Sequence, residues 1–215
     1  MASDGATDPA GSATSLLDEN RDRARARIVR AAQKALASRG LATTVDEVAA
    51  AAGVSRRTVF RHFATRERLV AAAIRAGLRS YAEHVPPPPP DDGTDDIGDW
   101  LLDVLLAAHR LNARNGRIYW DLSALDADLP GELAAADAER RQARRRFAVR
   151  VTRTVWRARG GAGEPPDWLT DAVAVHLSGF TLQSLAGDFD RSPDDVARVS
   201  ARVIEASVAA ALAGR

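Results

Sequence analysis

Arginine side chains are concentrated at the start of a predicted helix in residues 55–63, and their spacing indicates contact with nucleic acid. Ser55 is a good helix N-cap, and Val59 and Phe63, four residues apart, are expected to face inward. The outward face then carries Arg56, Arg57, Phe60 and Arg61. A planar guanidinium can bond guanine O6 and N7 together or clamp a phosphate, and the helix N-terminus adds N–H donors and a positive dipole. The segment is therefore predicted to contact DNA, with two adjacent arginines in its first turn reading bases.

A second helix is predicted immediately before this one, followed by a glycine turn. Thr44 and Glu47 have the spacing of a capping box, and Gly53 closes the helix because glycine adopts the left-handed conformation without a Cβ penalty. The buried face, at helical spacing, is Val45, Val48, Ala49 and Ala52. The order of helix, turn and arginine-bearing helix is that of a DNA-reading helix-turn-helix.

The run TVFRHF at residues 58–63 resembles the end of the recognition helix in the TetR family of bacterial transcription regulators. The resemblance continues through RIVRAA at 27–32, GLATT at 40–44 and RERLV at 66–70, and it covers about residues 23–80. It implies that His62 contacts the DNA backbone, and that Phe60 stands where tyrosine is common. Arg66 is expected to act on the backbone as well. The predicted DNA-contacting residues are Thr44, Ser55, Arg56, Arg57, Thr58, Phe60, Arg61, His62 and Arg66.

The charge distribution supports the same interpretation independently of the family resemblance. Residues 21–80 hold 14 Lys and Arg against 4 Asp and Glu, a net of +10, whereas the other 155 residues hold 16 against 25, a net of −9. A concentrated basic segment neutralises phosphates and releases counterions, and an acidic remainder is expected to face away from DNA. The alternative is an arginine-rich surface that is only solvated.

Composition excludes several classes of protein. The chain of 215 residues has no cysteine, so disulfide scaffolds and cysteine-based metal sites are excluded. Residues 1–20 are acidic and rich in Gly, Ser and Ala, which predicts a disordered tail and not a signal peptide or an anchor. No segment reaches the ~18 uninterrupted apolar residues of a membrane span, and a cytoplasmic protein is expected.

Hydrophobic spacing predicts an all-α fold: a three-helix head with a helix-turn-helix, then a C-terminal helical domain. The resemblance implies that this second domain serves dimerisation and effector binding. The DNA-binding domain is assigned to residues 21–80, and its three-helix head is joined to a fourth helix from about Thr65 to His84. A Pro/Asp-rich loop is assigned to residues 81–96. Its Pro86–Pro90 run is either a plain surface loop or a polyproline ligand. In the domain at 97–215, Gly and Pro positions divide the chain into helices at 97–113, 116–126, 131–159, 166–186 and 193–213.

The last two predicted helices carry stripes of small and apolar residues. Small residues let helices approach closely, so two such helices are expected to pair with their symmetry mates in a homodimer. The resemblance implies the same C-terminal dimerisation, and packing inside one monomer is the alternative. The predicted interface residues are Trp168, Ala172, Val175, Gly179, Leu182, Ala186, Val196, Val199, Val203 and Ser207.

The resemblance also implies repression that is relieved by a small-molecule effector. All four tryptophans follow Ile97, and aromatic side chains give large rigid pocket walls. Each candidate for lining the pocket is also a plausible core residue: Trp100, His109, Tyr119, Trp120, Phe147, His176 and Phe180. The arginines of residues 140–157 indicate a solvated face paired with Asp137 and Glu139, a second nucleic-acid contact or a seat for an anionic ligand.

The sequence contains no pattern that is typical of a catalytic site. The histidines lack metal-ligand spacing, and neither a phosphate-binding glycine loop nor a nucleophile elbow occurs, so no catalytic residue, metal or cofactor is predicted. The expected partners are double-stranded operator DNA, a second copy of the chain and an unidentified effector, with no membrane. A ligand-independent regulator or activator of the same fold remains an alternative, as does, more remotely, a small-molecule carrier or an enzyme.

Overall fold

The computed structural model describes residues 9–89, 96–124, 129 and 131–214, and within them every regular element is a helix. The all-α prediction is confirmed. A 3-10 turn at Gly40–Ala42 separates the first two helices. The helices are α1 (Pro9–Arg39), α2 (Val45–Ala52), α3 (Arg56–Phe63), α4 (Arg66–His84), α5 (Ile97–Ala124), α6 (Gly131–Ala158), α7 (Asp167–His176), α8 (Gly179–Phe189) and α9 (Pro193–Ala213).

Local capping forms α2 and α3 as the sequence predicts. The Thr44 hydroxyl accepts from the backbone N–H of Glu47, whose side chain accepts in return from the N–H of Thr44. Gly53 ends α2 in the left-handed conformation, at φ +63°, and Ser55 then caps α3. These caps hold α2 and α3 in a helix-turn-helix.

The core of the head extends beyond residues 21–80. Ile28, Val48 and Phe63 are buried in it, and so are Ile118 of α5 and Leu133 of α6. The guanidinium of Arg75 on α4 also bonds both carboxylate oxygens of Glu139 on α6, at 2.9 Å each. The head therefore shares its apolar core with the following domain, and the two are not separated at residues 81–96.

A second core lies between α5, α6, α7 and α9. Leu101 and Leu105 of α5 are buried against Val151 of α6, Leu169 of α7 and Ile204 of α9. The helix α5 takes part in both cores, its first half in this one and its end under the head. This position makes α5 the main connection between the two ends of the molecule.

The predicted break at Asn115–Gly116 is wrong, because α5 runs unbroken from Ile97 to Ala124. A glycine inside a helix costs about 1 kcal/mol relative to alanine, a local penalty that packing can exceed. Ile118 and Leu122, on one face of the helix, are buried in the head core. Burial of these two side chains holds the last turns in helical form.

The predicted single helix at 166–186 is also wrong, because the chain forms α7 and α8 with a break at Leu177–Ser178. The Ser178 hydroxyl accepts from the N–H of Thr181 at 3.2 Å and so begins a new helix. The Asn112 side-chain amide donates to the free carbonyl of Leu177 at 3.2 Å. A serine inside an apolar pattern therefore serves as an N-cap.

The outer segments differ in part from the predicted boundaries. α1 begins at Pro9, so residues 9–20, assigned to a disordered tail, are helical, and residues 1–8 lie outside the described residues. α4 ends at His84, as predicted for this helix, so the loop assigned to residues 81–96 begins only after residue 84. Residues 90–95 of that loop are outside the described residues too.

Candidate DNA interface and ligand cavity

The outer face of α3 presents two arginines to solvent without an intramolecular ion pair. Arg57 and Arg61 are both exposed, and neither forms a salt bridge with any described residue. Ser55 and Thr58 hold the N-terminus of the helix, since the Ser55 hydroxyl accepts from the N–H of Thr58 at 3.1 Å. This anchors the first turn and leaves the two guanidinium groups available.

Arg56 differs from its neighbour although both were predicted to read bases. Its guanidinium forms a salt bridge of 2.6 Å with Asp46 of α2 and lies 5.4 Å from the centre of the Phe60 ring. Both charged side chains are largely exposed, so the pair is weak and can exchange for a DNA contact. Arg56 thus needs to leave a carboxylate before it contacts a base, whereas Arg57 does not.

His62 lies in the last turn of α3, and its imidazole is half-buried. Its Nε2 atom is buried and has no hydrogen-bond partner among the described residues, and its backbone carbonyl accepts from Arg25 of α1 at 3.1 Å. Burial, followed by the charges of Arg61, Arg21 and Arg25, lowers the pKa of His62. The imidazole is therefore neutral at neutral pH, where it can bond a phosphate but does not neutralise it.

Arg66 is held inside the head and does not project from it. Its Nε donates to the carbonyl of Thr43 at 3.1 Å, and one terminal nitrogen donates to the carbonyl of Leu41. Both carbonyls belong to the segment between α1 and α2. Arg66 thus holds this turn from the side of α4, and its contact with the DNA backbone stays a prediction. Thr44 is likewise engaged in the cap of α2.

The same turn is held from its other side by α5. The Asp121 carboxylate accepts from the backbone N–H of Leu41 at 2.7 Å, and Arg117 lies 3.7 Å from the same carboxylate. Gly40, at φ +58°, permits this approach, because a Cβ there would lie 1.8 Å from Asp121 Oδ2. Sequence reasoning did not find Asp121, since no local signal connects it with a turn 80 residues away.

A cavity of about 1120 Å³ lies between the head and the following domain. Its walls come from α1 and α4 on the head side and from α5, α6 and α8 on the other. Asp121, which holds the turn of the head, and Arg117, which lies beside it, are among the lining residues. The volume is at the upper end of that of small-molecule sites in proteins.

Four of the seven predicted effector-binding residues line this cavity: Tyr119, Trp120, Phe147 and Phe180. The rings of Trp120 and Phe180 lie 4.9 Å apart and are both exposed.

The other three predicted effector-binding residues do not line the cavity. Trp100 donates its indole N–H to the carbonyl of Pro87 at 2.7 Å. His109 is fully buried and His176 is half-buried, and both approach the hydroxyl of Ser200, at 3.5 and 3.3 Å. Burial lowers the pKa of His109 to about 4 and also lowers that of His176. These three side chains pack within the chain, and their predicted contact with an effector stays a prediction.

The predicted dimer residues divide into an exposed group and an inward group. Trp168 and Val175 of α7 and Val199 and Val203 of α9 are large apolar side chains exposed on the chain. Ala172 and Ser207 are half-buried. Val196 is corrected, because it is fully buried in the subunit. Gly179, Leu182 and Ala186 line the cavity, with Ala186 exposed, and their interface role stays a prediction.

Comparison with known proteins supports the helix-turn-helix assignment and the fold. Residues 28–73 match the family model described as bacterial regulatory proteins, tetR family. A tetR-family transcriptional regulator from Streptomyces coelicolor is 23% identical, with a TM-score of 0.64 over 89% of this chain and 81% of that one. NalD, the secondary repressor of the MexAB-OprM multidrug efflux pump in Pseudomonas aeruginosa, is 20% identical, with a TM-score of 0.56 over 86% and 95%. No curated protein matches the chain.

A helix-turn-helix head on an all-helical body defines the class of this protein, which is a DNA-binding transcription regulator. Residues 28–73 match the TetR family of bacterial regulatory proteins, and the resemblance noted in the sequence is confirmed over that segment. No helix among the described residues has the length and apolar character needed to cross a bilayer.

Proposed function

We propose that this protein is a homodimeric repressor that leaves its operator when a small molecule enters the cavity. The proposal rests on one observation: the cavity shares its wall with the head. Asp121 lines the cavity and at the same time accepts the N–H of Leu41 in the turn before α2. A ligand that moves Asp121 acts directly on the element that positions the helix-turn-helix.

On the DNA side, we assign base contacts to the first turn of α3. Arg57 is exposed and unpaired among the described residues, and Arg56 becomes available when it leaves Asp46. Arg61 and His62 are assigned to the phosphate backbone, and Ser55 and Thr58 to the cap that orients the turn. Two heads related by a twofold axis would occupy half-sites about 34 Å apart and so cover a palindromic operator against polymerase.

On the dimer side, we assign the interface to the apolar residues of α7 and α9 that are exposed on the single chain. Val175 is 57% exposed and Trp168 is 50% exposed, values that favour a covering partner. A closed twofold dimer places the same patch on both subunits against itself. In this proposal the protein acts in the bacterial cytoplasm, where operator DNA lies, and has no catalytic role.

The experiment begins with genomic DNA fragments of the source bacterium, retained on the purified protein at moderate salt and then sequenced. A shared, roughly palindromic sequence is expected, and a variant with both Arg57→Ala and Arg61→Ala should not enrich it. Fragments without a common sequence would contradict sequence-specific binding. With the operator in hand, fluorescence anisotropy against a metabolite collection tests release. If operator binding is specific but no compound relieves it, the protein is a ligand-independent regulator.

A further inference from the structure

The cavity wall carries an excess of positive charge. Among the described residues, five arginines line it and Asp121 contributes one carboxylate. The arginines are Arg117, Arg140, Arg144, Arg146 and Arg150. A cavity lined mainly by cations attracts an anion, provided that the cations are not already neutralised by protein groups.

Two of these arginines are neutralised within the chain. Arg140 forms a 2.7 Å salt bridge with the buried carboxylate of Asp137, and Arg117 lies beside Asp121. Arg150 lies 5.3 Å from the centre of the Phe147 ring, a contact that attracts the charge but does not cancel it.

Arg144 is a half-buried cation that has no counter-charge among the described residues. Its one hydrogen bond among the described residues goes to the backbone carbonyl of Ala174, at 3.2 Å, and none of their carboxylates lies within salt-bridge distance. Burial, followed by the charge of Arg140, lowers the pKa of Arg144, which shows that the cation is held in an unfavourable place. A partly desolvated guanidinium with one acceptor has further donors that an anion can satisfy.

A neutral donor lies next to this cation. The phenol of Tyr81 lines the same cavity, and its ring stands edge-on to Phe147, with 5.4 Å between ring centres. Burial raises the pKa of Tyr81, so its hydroxyl keeps its proton at neutral pH and can donate to an acidic group.

The remainder of the cavity is suited to an apolar body. Phe147 and the paired rings of Trp120 and Phe180 are aromatic walls, and Leu78 and Leu182 are aliphatic ones. The volume of about 1120 Å³ accommodates a long chain or several rings.

We propose that the cavity is the receptor site for an amphipathic organic anion, whose acidic group pairs with Arg144 and whose apolar body lies against Phe147, Trp120 and Phe180. The inference rests on the effector role proposed above and names the chemical class of that effector. A carboxylate and a phosphate monoester share the required chemistry. A neutral or cationic amphiphile of the same length does not.

The test compares head groups on one ten-carbon chain. Decanoate, decyl phosphate, 1-decanol and decyltrimethylammonium are titrated below their micellar concentrations, and binding is followed by tryptophan fluorescence, to which Trp120 in the cavity wall contributes. We expect at least one anion to bind about tenfold or more tightly than decanol, and the cation not to bind. Equal affinity for decanol and both anions, or no binding of either anion, would overturn the proposal.

Two variants then locate the head group. Arg144→Gln should weaken the favoured anion by about tenfold or more and leave decanol unchanged, whereas Arg145→Gln, at an exposed neighbour outside the cavity, should change neither. Unchanged operator affinity of the Arg144 variant shows that it is folded. If it does not fold, Arg144→Lys, which keeps the charge, should retain the preference for anions. Anion affinity that survives Arg144→Gln overturns the assignment of the head group.

The fate of the two proposals can be distinguished. Release of the operator by a neutral compound, with no anion bound, would remove the inference and leave ligand-responsive repression standing. Anion binding with no enrichment of any DNA sequence would remove the proposed repressor function and leave the anion site standing.

Discussion

The two adjacent arginines in the first turn of α3 have different surroundings, although the sequence predicted the same role for both. Arg56 is paired with Asp46 and stacked near Phe60, whereas Arg57 is exposed and forms no salt bridge with a described residue. For a side chain that must first leave a carboxylate, the loss of that ion pair offsets part of the free energy gained from the DNA contact. Arg57 is therefore expected to contribute more to operator recognition than Arg56.

Replacement of Arg57 by alanine should weaken operator binding by about 1–3 kcal/mol if the guanidinium forms a bidentate base contact. Discrimination between the operator and unrelated DNA should fall with it. Arg114→Ala, at an exposed arginine of α5 outside the head, is the matched control for a lost charge. Anisotropy titrations at fixed salt measure both. Equal losses on operator and on random DNA would show that Arg57 contacts only phosphate.

The buried imidazole of His109 predicts a pH dependence of stability. Burial lowers its folded-state pKa to about 4, below the ordinary 6.5. Above pH 6.5 the imidazole is neutral in both states and contributes no slope. As the pH falls from 6.5 to 4, only the unfolded chain takes up the proton, so the free energy of unfolding falls by roughly 3 kcal/mol.

Urea denaturation of the wild type and of His109→Gln at pH 7 and pH 4.5 measures this contribution. The wild type should lose about 2–3 kcal/mol more than the variant between the two values. His62 and His176 also have lowered pKa values and act in the same direction, but they do so in both proteins. Identical losses would mean that His109 takes up its proton without unfolding.

At the scale of elements, the 3-10 turn between α1 and α2 is held from two sides. Arg66 of α4 bonds its carbonyls, and Asp121 of α5 bonds the N–H of Leu41. Gly40 lies against Asp121 with no space for a side chain. The turn is therefore the point at which α4 and α5 both contact the segment that precedes the helix-turn-helix.

Gly40→Ala and Gly53→Ala form a matched pair for testing this contact. Both glycines have a positive φ, of 58° and 63°, but a Cβ at Gly53 meets no atom within 4 Å. Gly53→Ala should therefore cost only the backbone strain, about 1–2 kcal/mol. Gly40→Ala should cost more, by an amount that Asp121→Ala recovers in a double-mutant cycle of unfolding free energies. If Asp121→Ala recovers none of the unfolding free energy lost in Gly40→Ala, the close approach of Gly40 to Asp121 does not contribute to stability.

At the scale of the whole molecule, apolar surface and charge are unevenly distributed. The basic excess lies in the head, and exposed apolar side chains of α7 and α9 lie in the remainder. A single chain that exposes Trp168, Val175, Val199 and Val203 presents a patch that water solvates poorly. A second copy that covers it would bring two basic heads onto one duplex.

Glutamate at both Val199 and Val203 should convert the dimer to a monomer, because four carboxylates would then meet across a twofold interface. Operator affinity should fall sharply, since one head retains half of the contacts. Ala209→Glu is the control, as it adds a charge to an exposed position of α9 roughly 120° around the helix from Val203. Light scattering after size exclusion measures the mass. A wild type that is monomeric at micromolar concentration would exclude this interface.

Local interactions could be predicted from the sequence, and distant ones could not. The caps at Thr44 and Ser55 and the turn at Gly53 depend on residues within four positions, so their chemistry is visible in the sequence. The continuity of α5 depends on burial under the head, and the role of Asp121 depends on a turn 80 residues away. The same limit explains Val196, whose helical stripe gives a periodicity but not the neighbour it faces.

The unbroken α5 has a mechanical consequence. A straight helix of 28 residues is about 42 Å long at 1.5 Å per residue, so it acts as a lever arm with one end in each core. Tilting such an arm by about 5° about its start displaces its far end by about 4 Å. Asp121 lies near that far end and accepts a hydrogen bond from Leu41 in the turn of the head. At Asp121, about 36 Å from the start of α5, the same tilt gives a displacement of about 3 Å, so the turn that Asp121 holds would move by about the length of a hydrogen bond.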